Sequence, residues 1–238
     1  MSGKRTALYR LALVALVAAL SVFCACKVDE PYRRPSSYAL DQSLFSQDQE
    51  QAIVRHPLTL ISKRLTTAGC AVRYPYVCDD GMDALNVAVH MAFTEFAEAC
   101  GTDGGRVAYS VEFNRYGLLS LIMTCSAGSG KVLFTDTANF DTDAGKRVYL
   151  SSCFGQAAEG VKERLTELLS AEAEARGTKP IGALPEFDDS TPFVFTYGGI
   201  CLIFREYEVF PPEAGLEKLK VPAAAVDYSQ DGLIARLK

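Results

Sequence analysis

Three β-prone runs between residues 106 and 140 constrain this chain more than any other feature. Apolar and polar residues alternate through 106–114, 118–126 and 131–140, and only Arg115-Tyr116-Gly117 and the glycine-bearing stretch 127–130 separate them. A period of two sends successive side chains to opposite faces of a strand. Gaps this short can only be hairpin turns. The stretch therefore predicts three successive antiparallel strands, and the rest of the chain must pack on them.

The flanking sequence fits that plan. Residues 58–66 and 70–78 are β-prone and separated by Thr67-Ala68-Gly69, which predicts an earlier hairpin. Between the two hairpin regions, Met82, Leu85, Val89, Ala92, Phe93 and Phe96 recur at helical spacing. Asp79 or Asp80 is the expected N-cap of that helix and Gly101 its stop. A second helix follows the strands, with Val161, Leu165, Leu168 and Leu169 on one stripe, charged residues elsewhere, and Gly177 at its end. A last strand pair is expected at 192–197 and 200–210, turned at Gly198-Gly199 and stopped by Pro211 and Pro212. The class predicted is α+β: antiparallel sheets built from hairpins with two amphipathic helices packed against them, one domain over residues 52–238.

The N-terminus bears on location. Lys4, Arg5 and Arg10 precede an uninterrupted apolar run at 11–23, the layout of a secretory signal peptide. At thirteen residues the run is short for a membrane span, which takes about 20. It ends in cysteine, as bacterial lipoprotein signals do, and Ala25 supplies the small residue before Cys26. Residues 1–25 thus read as signal peptide, Cys26 as the lipidated (palmitate-type) residue, and the polar, proline-bearing 26–51 as a tether. The expected location is the bacterial cell envelope, extracytoplasmic (periplasmic or surface), with the membrane reached through the lipid anchor. Cleavage at that point removes three of 24 basic residues and none of 29 acidic ones, leaving a balance of −8. Nucleic acid is thereby excluded as a partner, while a basic protein is favoured on approach.

In such a compartment Cys70, Cys78, Cys100, Cys125, Cys153 and Cys201 are candidates for disulfides, and the sequence does not choose among their fifteen pairings. Nothing calls for a cofactor. Only His56 and His90 are present, too few imidazoles for an ordinary catalytic zinc site, and no C-x-x-C occurs. Asp136, Asp141 and Asp143 near Gly145 lack the spacing of a calcium loop and read as a hairpin turn. Asp79-Asp80 and the acids of 186–189 sit at element boundaries, where carboxylates cap and solvate. No catalytic residue is assigned.

The order of motifs resembles the extracytoplasmic domain family of RsiV-type anti-sigma factors, which sense lysozyme; the same domain occurs on the N-terminal side of some peptidoglycan deacetylases. The resemblance spans roughly residues 55–226. It rests on Tyr74-Pro75 followed by Leu85-Asn86, and on Asn139, Phe140, Asp141, Gly145, Lys146, Leu150 and Phe154. A closing signature adds Tyr207, Glu208, Pro211, Ala214, Gly215, Val221 and Pro222. The chain departs from the family in lacking a histidine in the glycine loop near 127–131, and in Pro212 standing where a tyrosine is usual. With ten residues before the apolar run and little sequence after the signature, the expectation is this module alone on its anchor. The resemblance implies a non-catalytic binding module for a lysozyme-like protein or a cell-wall component. The alternative is a peptidoglycan-acting hydrolase using Glu206, Glu208 and Glu213; two acids at i and i+2 of a strand share a face, at a separation glycoside hydrolysis can use.

Overall fold

The computed structural model describes residues 57–101, 104–205, 208–211, 214–215 and 217–237. The expected signal peptide, lipidated Cys26 and tether lie outside these residues, as do the acids Glu206 and Glu213, with Tyr207. Among the described residues nine strands form two sheets. The larger has the order β1 (Leu60–Thr67), β2 (Cys70–Val77), β3 (Arg106–Arg115), β4 (Leu118–Ser126), β5 (Val132–Asp141) and β6 (Lys146–Val148). The smaller is β7 (Phe193–Thr196), β8 (Gly199–Ile203) and β9 (Lys218–Pro222). The α+β class holds.

Both early hairpins close with two residues, since Thr67 faces Cys70 and Arg115 faces Leu118. Ala68-Gly69 and Tyr116-Gly117 all have positive φ, between 48° and 74°. That is the left-handed turn whose twist matches paired strands, and glycine takes its second place without steric penalty.

The sheet is not wholly antiparallel as expected. β2 and β3 run parallel, with Ala71 opposite Arg106 and Val72 opposite Val107. The helix between them, α1 (Asp83–Cys100), is a crossover, and a crossover returns the chain in its original direction. It lays Leu85, Val89, Phe93 and Phe96 onto one face of the sheet, against Val72, Leu119, Leu121, Met123 and Phe140. Its N-terminus also corrects the sequence reading. Met82 occupies the N-cap with no side-chain bond, and Asp79 accepts instead from the Thr59 N–H at 2.6 Å. Gly101 does end the helix, in the left-handed conformation.

A second cluster fills the space between the small sheet and α3 (Ala158–Ala175), which is preceded by the short α2 (Leu150–Phe154). Val161, Leu165 and Leu169 meet Phe193, Phe195, Ile200, Leu202, Leu219 and Val221, with Leu233, Ile234 and Leu237 of a C-terminal 3₁₀ turn. The expected strand at 200–210 stops at Ile203. There the chain turns, Arg205 N–H donating to Glu208 Oε2 at 2.7 Å, and the buried Val209 and Phe210 continue the apolar pattern without strand pairing. β9 was not anticipated. It supplies the third strand, pairing from Gly199 with Pro222 to Ile203 with Lys218.

Polar side chains join the sheets. On β4 and β5, Ser120, Thr137 and Asn139 are buried. Thr137 Oγ1 accepts from Phe193 N–H at 3.1 Å and Ser120 Oγ from Phe195 N–H at 2.8 Å. Asn139 Nδ2 donates to the Phe193 carbonyl at 2.7 Å, while its Oδ1 accepts from Ser120 at 2.5 Å. Three backbone groups on that edge of β7 are thus satisfied by side chains of the large sheet. Among the described residues no helix is long and apolar enough to cross a membrane.

Candidate functional site

A cleft of about 360 Å³ opens between α2, α3 and the loop 187–190. Its floor is apolar: Leu150 and Phe154 from α2, Val161 and Leu165 from α3, and Phe187 from the loop. Helical spacing puts Glu159 and Lys162 on the same rim of α3, and the loop brings Asp188, Asp189 and Ser190 opposite. Three carboxylates therefore stand around one lysine.

The loop acids are held in place. Asp188 Oδ1 accepts from the Ser190 N–H at 2.8 Å and the Ser190 hydroxyl at 2.6 Å, and Asp188 N–H donates to Thr191 Oγ1 at 3.0 Å. These Ser190 bonds hold the Asp188 carboxyl below its ordinary range against the opposing effect of burial, with smaller help from Thr191 and Lys162. Asp189 Oδ1 accepts from Ser151 N–H at 3.0 Å at the start of α2, leaving its second oxygen outside that bond. Chemically, the cleft offers fixed negative charge over an apolar floor. That suits a ligand presenting an ammonium or guanidinium on an aliphatic stem.

Of the residues carrying the family resemblance, Leu150 and Phe154 line the cleft, and most of the others are joints elsewhere. Asn86 reads both backbone groups of Val77, accepting from its N–H at 2.7 Å and donating to its carbonyl at 2.9 Å, and so ties α1 to the end of β2. Tyr74 packs its ring edge-on to His90, 5.4 Å between centroids, and Pro75 is buried beside it in β2. His90 is exposed on α1. Asn139 joins the sheets, Phe140 is fully buried against α1, and Phe154 is buried in the second cluster. Asp141 forms a two-pronged pair with Arg236, at 3.0 and 3.1 Å, and caps its own turn through the Asp143 and Ala144 N–H groups. Burial works to raise its pKa, but the Arg236 bonds and the Ala144 N–H outweigh it, so the carboxyl lies below the usual value. Asp143 also reaches Arg236, at 3.3 Å, so Asp141 and Asp143 serve the turn as expected, whereas Asp136 stands within β5 opposite Met123 and accepts from Thr137 N–H.

Gly145 has φ +62°, and a Cβ there would sit 2.8 Å from that of Ala84, so glycine is required where the β5–β6 turn meets α1. Lys146 starts β6 exposed, and Pro222 ends β9. Pro211 is half-buried, and the Gly215 carbonyl accepts from Arg176 at 2.9 Å. Because β8 ends at Ile203, Glu208 does not stand on a strand, and its carboxylate closes the turn at Arg205.

The cysteines divide. Cys70, Cys100 and Cys125 are buried in one cluster, under and at the end of α1. Cys153 is buried in the other, Cys201 lies within β8, and Cys78 is exposed past the end of β2. Sequence reasoning assigned the acids of 186–189 to a loop and missed Glu159 and Lys162 as their facing rim. The only signal was an i, i+3 pair on the polar side of α3, which helices show everywhere. Arg236 was also missed as the partner of Asp141, 95 residues away.

No protein-family model matches the sequence, and no curated protein matches it. Solved structures similar to the chain include two bacterial proteins of the DUF3298 family. One, from Pseudomonas aeruginosa PAO1, shares 15% identity at a TM-score of 0.47, over 72% of this chain and 93% of that one. The other, from Bacteroides fragilis NCTC 9343, shares 14% identity at 0.46, over 76% of this chain and 96% of that one.

Proposed function

We propose that this chain is a non-catalytic binding module of the bacterial envelope, anchored through a lipid on Cys26, and that it holds a basic protein by the cleft between α2, α3 and loop 187–190. The observation that carries the reading is the pairing of an apolar floor with three rim carboxylates, Glu159, Asp188 and Asp189, against the single Lys162. An acidic rim steers a cationic partner during approach, and an apolar floor rewards the stem of an inserted Lys or Arg. The balance of −8 after removal of residues 1–25 acts in the same direction at longer range. The specific form of the proposal, suggested by the sequence resemblance, is a lysozyme-like ligand.

Calorimetry of the mature chain with hen egg-white lysozyme at low salt tests it. Binding is expected, weakening as salt approaches physiological strength, where charges farther apart than about 8 Å are largely screened. Asp188→Asn with Asp189→Asn keeps the acceptors that Ser190 and Ser151 use, so the loop should persist while the charge is lost. Affinity should then fall roughly tenfold or more, the effect of about 1.4 kcal/mol. Absence of binding to the parent chain, or unchanged affinity in the double variant, overturns the assignment. Mass spectrometry of the mature N-terminus, reading acyl groups on Cys26, tests the anchor separately.

A further inference from the structure

Three buried thiols meet at one end of α1. Cys100 is its last residue, and Gly101 turns the chain back toward the sheet. The returning segment bonds on both sides of Cys70, Gly104 N–H to the Gly69 carbonyl at 3.0 Å and Ala71 N–H to the Gly105 carbonyl at 2.9 Å. One strand further, Val107 pairs with Cys125, which faces α1 from β4. Cys70 and Cys125 are wholly buried and Cys100 is 7% exposed. Cys125, and after it Cys70, are the thiols that interact with Cys100. Cys78, Cys153 and Cys201 take no part in this group.

We propose that Cys100 and Cys125 form an intramolecular disulfide that staples the end of α1 to the centre of the large sheet, with Cys70 remaining a thiol. The inference rests on the extracytoplasmic placement proposed above, because a cytosolic chain would be kept reduced. A small-molecule disulfide supplies the oxidising equivalents. One protein thiolate attacks it, forming a mixed disulfide and releasing one thiol; the second protein thiolate attacks the protein sulfur of that bond and releases the other. Two protons and two electrons leave the cysteine pair and appear in two small-molecule thiols. Burial, then the hydrogen bond to Cys125 and the neighbouring Cys125 and Cys70, pushes the Cys100 thiol up to about 12. Thiolate is therefore scarce in the closed core at neutral pH, and the bond forms while the chain folds.

The test is peptide mapping of the full chain after export, with free thiols alkylated before unfolding and again after it. A Cys100–Cys125 cross-linked peptide is expected, with Cys70 alkylated only after unfolding. The reduced chain is also refolded in oxidised and reduced glutathione. The cross-link forming there but absent from the exported protein would support the pairing and overturn the proposed compartment. Its absence from both samples, or Cys100 joined to any cysteine other than Cys125, overturns the pairing. As a second readout, dithiothreitol should lower the thermal midpoint of the parent and of Cys70→Ser by roughly 10 °C. Cys125→Ser should be insensitive to it, and an equal response in Cys125→Ser counts against the pair.

Discussion

Asn139 shows how a polar residue inside a buried strand can hold two sheets together. Its amide donates to the Phe193 carbonyl and accepts from Ser120, whose hydroxyl oxygen also receives the Phe195 N–H. Each group has a partner, and among the described residues no buried side-chain polar atom lacks one. Replacing Asn139 by Ala leaves the Phe193 carbonyl buried without its donor, which costs about 2 kcal/mol. Urea unfolding should show this as a lower midpoint with an unchanged slope. The sequence reading named Asn139 only through the family resemblance and gave Ser120 no role of its own. Their partners were not legible, since they lie 54 and 75 residues away and are backbone groups, which leave no trace in residue type.

At the scale of elements, local pattern and non-local pairing separate cleanly. The hairpins β1–β2 and β3–β4–β5 could be read because period and turn chemistry act within a few residues. So could α1, whose buried Leu85, Val89, Phe93 and Phe96 are those picked by helical spacing. Its two faces should respond very differently to substitution. Phe93→Ala removes a ring with no exposure and should cost about 3–5 kcal/mol. Met91→Ala, at a position 54% exposed, should stay within roughly 0.5 kcal/mol of the parent. Chemical denaturation of both variants checks the pair. The parallel contact of β2 with β3 could not be read, because it depends on where α1 docks. The unpredicted β9 carries only a short alternation, Leu219 and Val221 buried between exposed Lys218 and Lys220, next to residues that resemble a loop. The end of β8 was misread because Val209 and Phe210 are apolar for the core's sake, outside the ladder.

Across the whole described fold, Arg236 fastens the C-terminal turn to the hairpin of β5 and β6. Its guanidinium binds Asp141, whose side chain is 7% exposed, and also reaches Asp143. The Asp141 carboxyl is held below its ordinary value, burial opposing and the Arg236 and Ala144 bonds prevailing. A lowered folded pKa makes this contribution fully present above the unfolded value, about 3.9, and lost as pH falls through the folded one. Arg236→Met should therefore lower stability at pH 7 by on the order of 2 kcal/mol, with the gap to the parent closing as pH falls through the lowered Asp141 value. A pH series of thermal midpoints reads this directly, and a gap independent of pH would mean the arginine acts only by packing. The same pair ties the two apolar clusters together, since Arg236 is flanked by Ile234 and Leu237 of the second and Asp141 follows Phe140 of the first.

The side-chain contacts along β7 have a consequence for how the protein behaves at high concentration. A strand with open N–H and carbonyl groups is a template on which another chain can grow a fibril-like ladder. Here Thr137, Ser120 and Asn139 occupy three of those groups on β7, and β9 is the other border of the small sheet among the described residues. That remaining border carries Lys218 and Lys220, whose like charges repel an identical strand arriving in register.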